Sequence, residues 1–225
     1  MKTSCPYCNT VSALYFRSRD YNRSITEDTF DHYRCPGCGL IFIAPVPHNL
    51  GDYYPQGYYP IPQTLAALEA SSAPDKYKID IIRRYVSRGR LLEIGPSFGG
   101  FAYRAKQAGF EAEAIEMNAG CSAFLNDVVG VPTINSSDTC GALKKLKPFD
   151  VITLWHVIEH LPNPREILEA VSEKINVGGI LVLAAPNPGS IQFRILGRYW
   201  PHLDAPRHLM LIPIQLLVDK RRSWE

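Results

Sequence analysis

Leu91-Leu92-Glu93-Ile94-Gly95-Pro96-Ser97-Phe98-Gly99-Gly100 runs from an apolar strand into a glycine-rich turn and on into a helix. Glycines at such a turn let a ligand approach the backbone closely. Outward from it, the pattern predicts helices over residues 77–87, 100–108, 119–127, 140–146 and 165–174. Strands are predicted over 91–94, 112–116, 131–134, 151–154 and 179–185. Strands alternating with helices imply a parallel sheet covered on both faces, a Rossmann-like doubly wound α/β fold. In such a sheet, ligands sit beyond the carboxyl ends of the strands.

Two acids sharpen the turn. Glu93 stands two residues before the first glycine, and Glu116 ends the second predicted strand, where a carboxylate can accept both ribose hydroxyls of an adenosine. Gly95-x-Ser97-x-x-Gly100 also approximates a dinucleotide fingerprint, so a nicotinamide dehydrogenase is one rival reading. With its acids, however, the segment resembles the first motif of class I S-adenosylmethionine-dependent methyltransferases, acid-x-Gly-x-Gly-x-Gly, with Ser97 at the middle glycine. The resemblance extends through Phe149-Asp150-Val151-Ile152-Thr153-Leu154-Trp155-His156-Val157-Ile158-Glu159-His160 and Val177-Gly178-Gly179-Ile180-Leu181-Val182-Leu183, covering roughly residues 75–210. It implies S-adenosylmethionine as cofactor and strand order 3-2-1-4-5. It also implies that Gly95, Ser97 and Gly99 line the cofactor, Glu116 binds its ribose, and Trp155 and His156 border its adenine or methyl side. Glu93 would contact the amino acid end through water, or hold the turn.

Four of the six cysteines form two tight turns, Cys5-Pro6-Tyr7-Cys8 and Cys35-Pro36-Gly37-Cys38-Gly39. Four thiolates in two such turns suit one tetrahedral Zn²⁺, because soft sulfur ligands select zinc and a structural site needs no open position. A structural zinc is worth roughly 10 kcal/mol or more, enough to order a small ribbon that has little core of its own. Residues 1–45 are therefore expected to form a zinc ribbon, 46–74 a Pro/Tyr-rich connection, and 75–225 the methyltransferase core. The ribbon, the Tyr-rich connection, the core and Leu203-Asp204-Ala205-Pro206-Arg207-His208-Leu209 together are similar to bacterial methyltransferases of small molecules and sugars.

The 225 residues carry 24 Lys+Arg against 22 Asp+Glu, a formal charge of +2, which argues against gripping a polyanion by bulk electrostatics. At 46% hydrophobic and 20% charged the chain can bury a core. The longest apolar run is about ten residues where a membrane span needs roughly 20, and the N-terminus has no secretory h-region. Few cysteines and no membrane segment lead to an expected cytoplasmic location, and the oligomeric state is left open. Arg17, Arg19, Arg23 and Arg34, interleaved with Tyr15, Phe16, Tyr21 and Tyr33, make an RNA-modifying or RNA-binding protein the second rival.

Methyl transfer to a small molecule is the expected activity, with a sugar or a precursor of a polysaccharide or secondary metabolite as acceptor. Histidine is the usual proton acceptor near neutral pH, which makes His160 and His208 the catalytic candidates. Tyr53, Tyr54, Asp204 and Arg207 are candidate substrate contacts. His156-x-x-Glu159-His160 also matches an inverted zincin pattern, but it follows a strand too closely to occupy one helix, so a metallopeptidase is not expected. The last expectation concerns the chain end. Family members add two strands after the fifth, so the chain is expected to be an incomplete methyltransferase whose fifth strand is an apolar edge unless residues 201–217 fold over it.

Overall fold

The computed structural model describes residues 2–55 and 57–221, with side chains up to residue 217. Its strands are β1 (Lys2–Ser4), β2 (Val11–Ser18), β3 (Phe30–Arg34), β4 (Ile41–Ile43), β5 (Gly89–Ile94), β6 (Phe110–Glu116), β7 (Thr133–Asn135), β8 (Phe149–Trp155), β9 (Ile175–Ala184) and β10 (Met210–Leu211). Its α-helices are α1 (Leu65–Ser71), α2 (Lys76–Arg83), α3 (Gly100–Gln107), α4 (Ala119–Phe124), α5 (Thr139–Lys144), α6 (Pro164–Ser172), α7 (Ile191–Leu196) and α8 (Ile214–Arg221). No helix among the described residues is long and apolar enough to cross a membrane. The chain forms two compact units. One gathers residues 1–55, 158–164 and 185–225; the other holds 56–157 and 165–184.

The larger unit is the parallel sheet, in the order β7-β6-β5-β8-β9. Counted from the glycine turn this is 3-2-1-4-5, the order the sequence predicts. Central strands buried on both faces read as continuous apolar runs, and Leu91, Leu92, Ile94, Val151, Ile152 and Leu154 are all at most 2% exposed. Phe101, Ala102 and Ala105 of α3 pack with Ile79 and Ile82 of α2 and Leu68 of α1 into the same core as Leu91, Ala112 and Val151. The predicted strand ends fall within about two residues of the observed ones, except that β9 begins at Ile175 rather than 179. It is the edge strand of the sheet, and residues 180–184 are half-buried rather than exposed.

The smaller unit is an antiparallel sheet, β1-β2-β3-β4-β10. Here the structure and the expected boundaries at 45 and 74 do not coincide, because residues from both the connection and the C-terminal part join the ribbon. The reason is apolar area. Ile41, Phe42 and Ile43 are each 3% exposed, and the ribbon has little of its own to cover them. Ile41 packs with Phe193, Trp200, Leu203 and Leu211, while Ile43 and Phe30 pack with Ala205 and Tyr53. β10 pairs with β4, and Ile43 N donates to Leu209 O at 2.9 Å. Residues 201–217 thus belong to the ribbon unit, and residues 222–225 lie outside the described part.

Candidate cofactor and metal sites

In the sheet unit, β5 ends at Ile94 and the turn takes left-handed φ values of +68° at Gly95, +55° at Ser97 and +82° at Gly99. Gly99 shows why its side chain is only hydrogen: a Cβ there would stand 2.2 Å from Leu125 Cδ2. Ser97 adopts this left-handed geometry although it is not glycine. Its backbone N–H donates to Glu116 Oε2 at 2.9 Å, and the Asn118 N–H donates to Oε1 at 2.7 Å. The carboxylate that ends β6 therefore ties the turn to the neighbouring strand end and still has lone pairs for hydroxyl donors. Burial raises the Glu116 carboxyl, and these N–H donors oppose it.

Glu93 is buried and its Oε2 has no hydrogen-bond partner among the described residues; neither has the indole Nε1 of Trp155. Burial pushes the Glu93 carboxyl up to about 8, against the pull of Lys78. Trp155 is half-buried, edge-on to Phe101 at 5.4 Å, with Lys78 Nζ 4.9 Å from its ring centroid. His156 is exposed at φ +57°, its N–H bonded to Ala184 O at 2.9 Å. Two further residues belong to this unit. Burial and the charge of Glu116 raise the Tyr59 phenol far above its ordinary value. Cys121 is buried, and its thiol is raised to about 11 by burial and by Glu116, with a hydrogen bond from the Ser97 side chain opposing.

In the ribbon unit, Cys5, Cys8, Cys35 and Cys38 offer sulfurs that all lie within 4.8 Å of one another. Cys5 and Cys38 Sγ are 3.6 Å apart, and Cys8 and Cys35 Sγ 3.4 Å. A tetrahedral ZnS₄ centre with bonds of about 2.3 Å needs sulfurs about 3.8 Å apart, so the four fit zinc closely. The two turns share one design. Asn9 N donates to Cys5 O and Gly39 N to Cys35 O, both at 3.0 Å, with φ of +58° at Asn9 and +75° at Gly39. Tyr7 N and Cys38 N each point at the first sulfur of their turn, 3.5 Å away.

The same unit brings His160, His208, Asp204, Arg207 and Tyr54 together. Arg207 is 1% exposed, and its guanidinium makes bidentate contacts with Asp20 (2.6 and 3.0 Å) and Asp204 (2.8 and 3.0 Å). Asp20 also accepts the N–H groups of Arg23 and Ile25, and Asp204 the amide of Asn22. These contacts turn Asp204 and Arg207, expected to touch substrate, into the ties that hold residues 201–208 onto the ribbon. Tyr53 stands edge-on to Phe30 at 5.9 Å, a packing contact rather than a stacking platform. Tyr54 Oη is 3.1 Å from His160 Nδ1. Burial, and then His208, hold the His160 imidazole down at about 4, which keeps it neutral near pH 7 but makes it a weak base for the proton-accepting role expected of it. The rings of His160 and His208 meet edge-on at 4.6 Å, and buried Glu159 lies beside them.

Set against known proteins, residues 68–218, about two thirds of the chain, match the family described as Methyltransferase domain. No curated protein matches the sequence. Among solved structures, a SAM dependent methyltransferase from Archaeoglobus fulgidus is similar at 23% identity and a TM-score of 0.58, over 68% of each chain. TehB from Haemophilus influenzae is similar at 21% identity and a TM-score of 0.44, over 49% of this chain and 41% of its own. The glycopeptide N-methyltransferase MtfA, in complex with S-adenosylmethionine, is similar at 20% identity and 0.43, over 50% of this chain and 54% of its own. The first of these likenesses bears out the fold alone.

Proposed function

Since this chain belongs to the methyltransferase-domain family, we propose that it transfers a methyl group from S-adenosylmethionine to a small molecule, of the class of sugars or precursors of polysaccharides and secondary metabolites. The observation that carries the reading is the turn from Gly95 to Gly99 bonded to the carboxylate of Glu116. That arrangement offers a close backbone approach and hydroxyl acceptors at neighbouring strand ends, which suits an adenosine. Glu93 Oε2 and Trp155 Nε1, both buried and without partners among the described residues, supply one acceptor and one donor for a ligand at the same strand ends. The residues present therefore fit the group. When bound, the cofactor supplies a methyl group already activated by its sulfonium. The chain's part would be to hold it: the left-handed turn from Gly95 to Gly99 would present its backbone, Glu116 would accept from the ribose, and Trp155 would cover an apolar face.

The cysteine tetrad would hold one structural Zn²⁺, supported by the near-tetrahedral sulfur spacing. Zinc bound there would close the turns that precede β2 and β4, and so would brace the sheet to which residues 185–217 attach.

A small-molecule acceptor is favoured over RNA by how the ribbon uses its charges. Arg17 is bonded to Asp31 at 2.6 Å, Arg19 faces Glu27 at 3.7 Å, and Tyr33 is buried against Phe42. Two of the ribbon's arginines are already paired with neighbouring acids and one of its aromatics is turned inward, which thins the stacking and phosphate-binding stripe that RNA would need. The test is transfer of labelled methyl from S-adenosylmethionine to a panel of sugars and sugar nucleotides, with a structured RNA as the competing acceptor. Labelling of the RNA alone would overturn the acceptor assignment.

A further inference from the structure

We propose that Glu159, His160 and His208 form a second metal site, open in its coordination and separate from the cysteine tetrad. One ligand atom from each of the three lies within 4.8 Å of the other two, and all three belong to the ribbon unit. The hydrogen bonds fix which ring atoms are offered. His160 Nδ1 is 2.9 Å from Arg207 O and His208 Nδ1 is 2.8 Å from His202 O. A carbonyl oxygen can only accept, so each Nδ1 is the donor of its pair, with Tyr54 Oη also 3.1 Å from His160 Nδ1, and Nε2 is the ring atom left to face a cation. An imidazole whose far nitrogen donates to a backbone carbonyl is the arrangement that orients a metal-binding histidine.

The third donor is a carboxylate that the fold has taken out of water. Glu159 is 0% exposed, and its Oε1 is 4.0 Å from His208 Nε2. Ligands bonded to one cation at about 2.0 to 2.2 Å stand roughly 3.0 to 3.5 Å apart, so the pair needs to close by only about half an ångström to an ångström. The frame is stiff elsewhere. Leu209 N donates to Glu159 O at 2.8 Å and Ile43 N to Leu209 O at 2.9 Å, which locks the turn carrying Glu159 to the segment carrying His208. The Arg207 ties to Asp20 and Asp204 hold that segment from the other side.

Two imidazole nitrogens and one carboxyl oxygen suit a divalent d-block cation such as Zn²⁺, Co²⁺ or Mn²⁺, and three protein ligands leave positions for water or an oxygen ligand. The sequence pattern His156-x-x-Glu159-His160 pointed at metal for the wrong reason. The third member of the cluster is His208, from far along the chain.

The test uses the full chain with zinc kept in its ribbon, stripped of weakly held metal by brief exposure to a mild chelator and titrated with Co²⁺. Saturable binding of one further ion, giving weak visible bands without intense thiolate charge transfer, is expected. His208→Ala and Glu159→Gln should each weaken it at least tenfold while ribbon zinc and the melting transition persist. Should either variant lose its fold, the unmodified chain decides by histidine NMR: two imidazoles shifted by Co²⁺ support the site. Charge-transfer bands alone, unshifted imidazoles, or a folded His208→Ala binding Co²⁺ as tightly as the parent would overturn it.

Discussion

Replacing Glu116 by alanine removes the acceptor of two backbone N–H groups, Ser97 at 2.9 Å and Asn118 at 2.7 Å. Hydrogen bonds to a charged group contribute about 1.5 to 3 kcal/mol each, and Glu116 is only 4% exposed, so little water can take its place. The free protein should therefore lose about 3 kcal/mol, seen as a melting transition lowered by roughly 6 to 12 °C. Affinity for S-adenosylhomocysteine should fall by a further 2 to 3 kcal/mol, about 30- to 150-fold, through loss of the contact to the ribose. Glu116→Gln separates the two effects. Its single amide oxygen can still accept one N–H, so stability should recover in part, while the charge-assisted ribose contact stays lost. Calorimetric titration with S-adenosylhomocysteine and a melt of each free protein give both quantities. A stable Glu116→Ala protein that binds the ligand as tightly as the parent would refute the reasoning.

Gly99→Ala should cost about 2 to 4 kcal/mol, since φ is +82° and a Cβ would meet buried Leu125, whereas Ser97→Gly should be neutral or stabilise by up to about 1 kcal/mol; chemical denaturation compares them. Glu93, raised to about 8 from 4.5, binds more protons folded than unfolded between those values, so its contribution is whole below about pH 4.5 and is lost as pH rises through 8. Melts across that window should therefore fall more steeply for the parent than for Glu93→Gln, by up to about 5 kcal/mol, and parallel curves would contradict the shift. Cys35→Ser should release the ribbon zinc, read by elemental analysis, and strip hydrogen-exchange protection from β2 and β3, while β5 and β8 stay protected.

The parallel sheet was legible because its central strands, Gly89–Ile94 and Phe149–Trp155, are local apolar runs and strands alternate with helices along the chain. The glycine turn and the two cysteine turns stand out because each is a short local motif, residues 95–100, 5–8 and 35–38. What escaped depends on long-range contact. Asp20 reads as one acid among several in an arginine-rich stretch, yet it is the bidentate partner of Arg207, 187 residues along the chain. No local pattern encodes that pairing. The same holds for the C-terminal segment, whose Leu203, Ala205 and Leu211 read as a continuation of the sheet domain and instead cover the ribbon. Tyr59 looked like its tyrosine-rich neighbours until Glu116 was placed near it. His160 looked like a base because its sequence neighbours do not reveal burial.

Calorimetric titration of the zinc-loaded chain with S-adenosylhomocysteine, and separately with NADH, tests the central claim most directly. Binding of one S-adenosylhomocysteine per chain, abolished or strongly weakened in Glu116→Ala and Gly99→Ala, is the predicted result. Saturable binding of NADH with none of S-adenosylhomocysteine would contradict it.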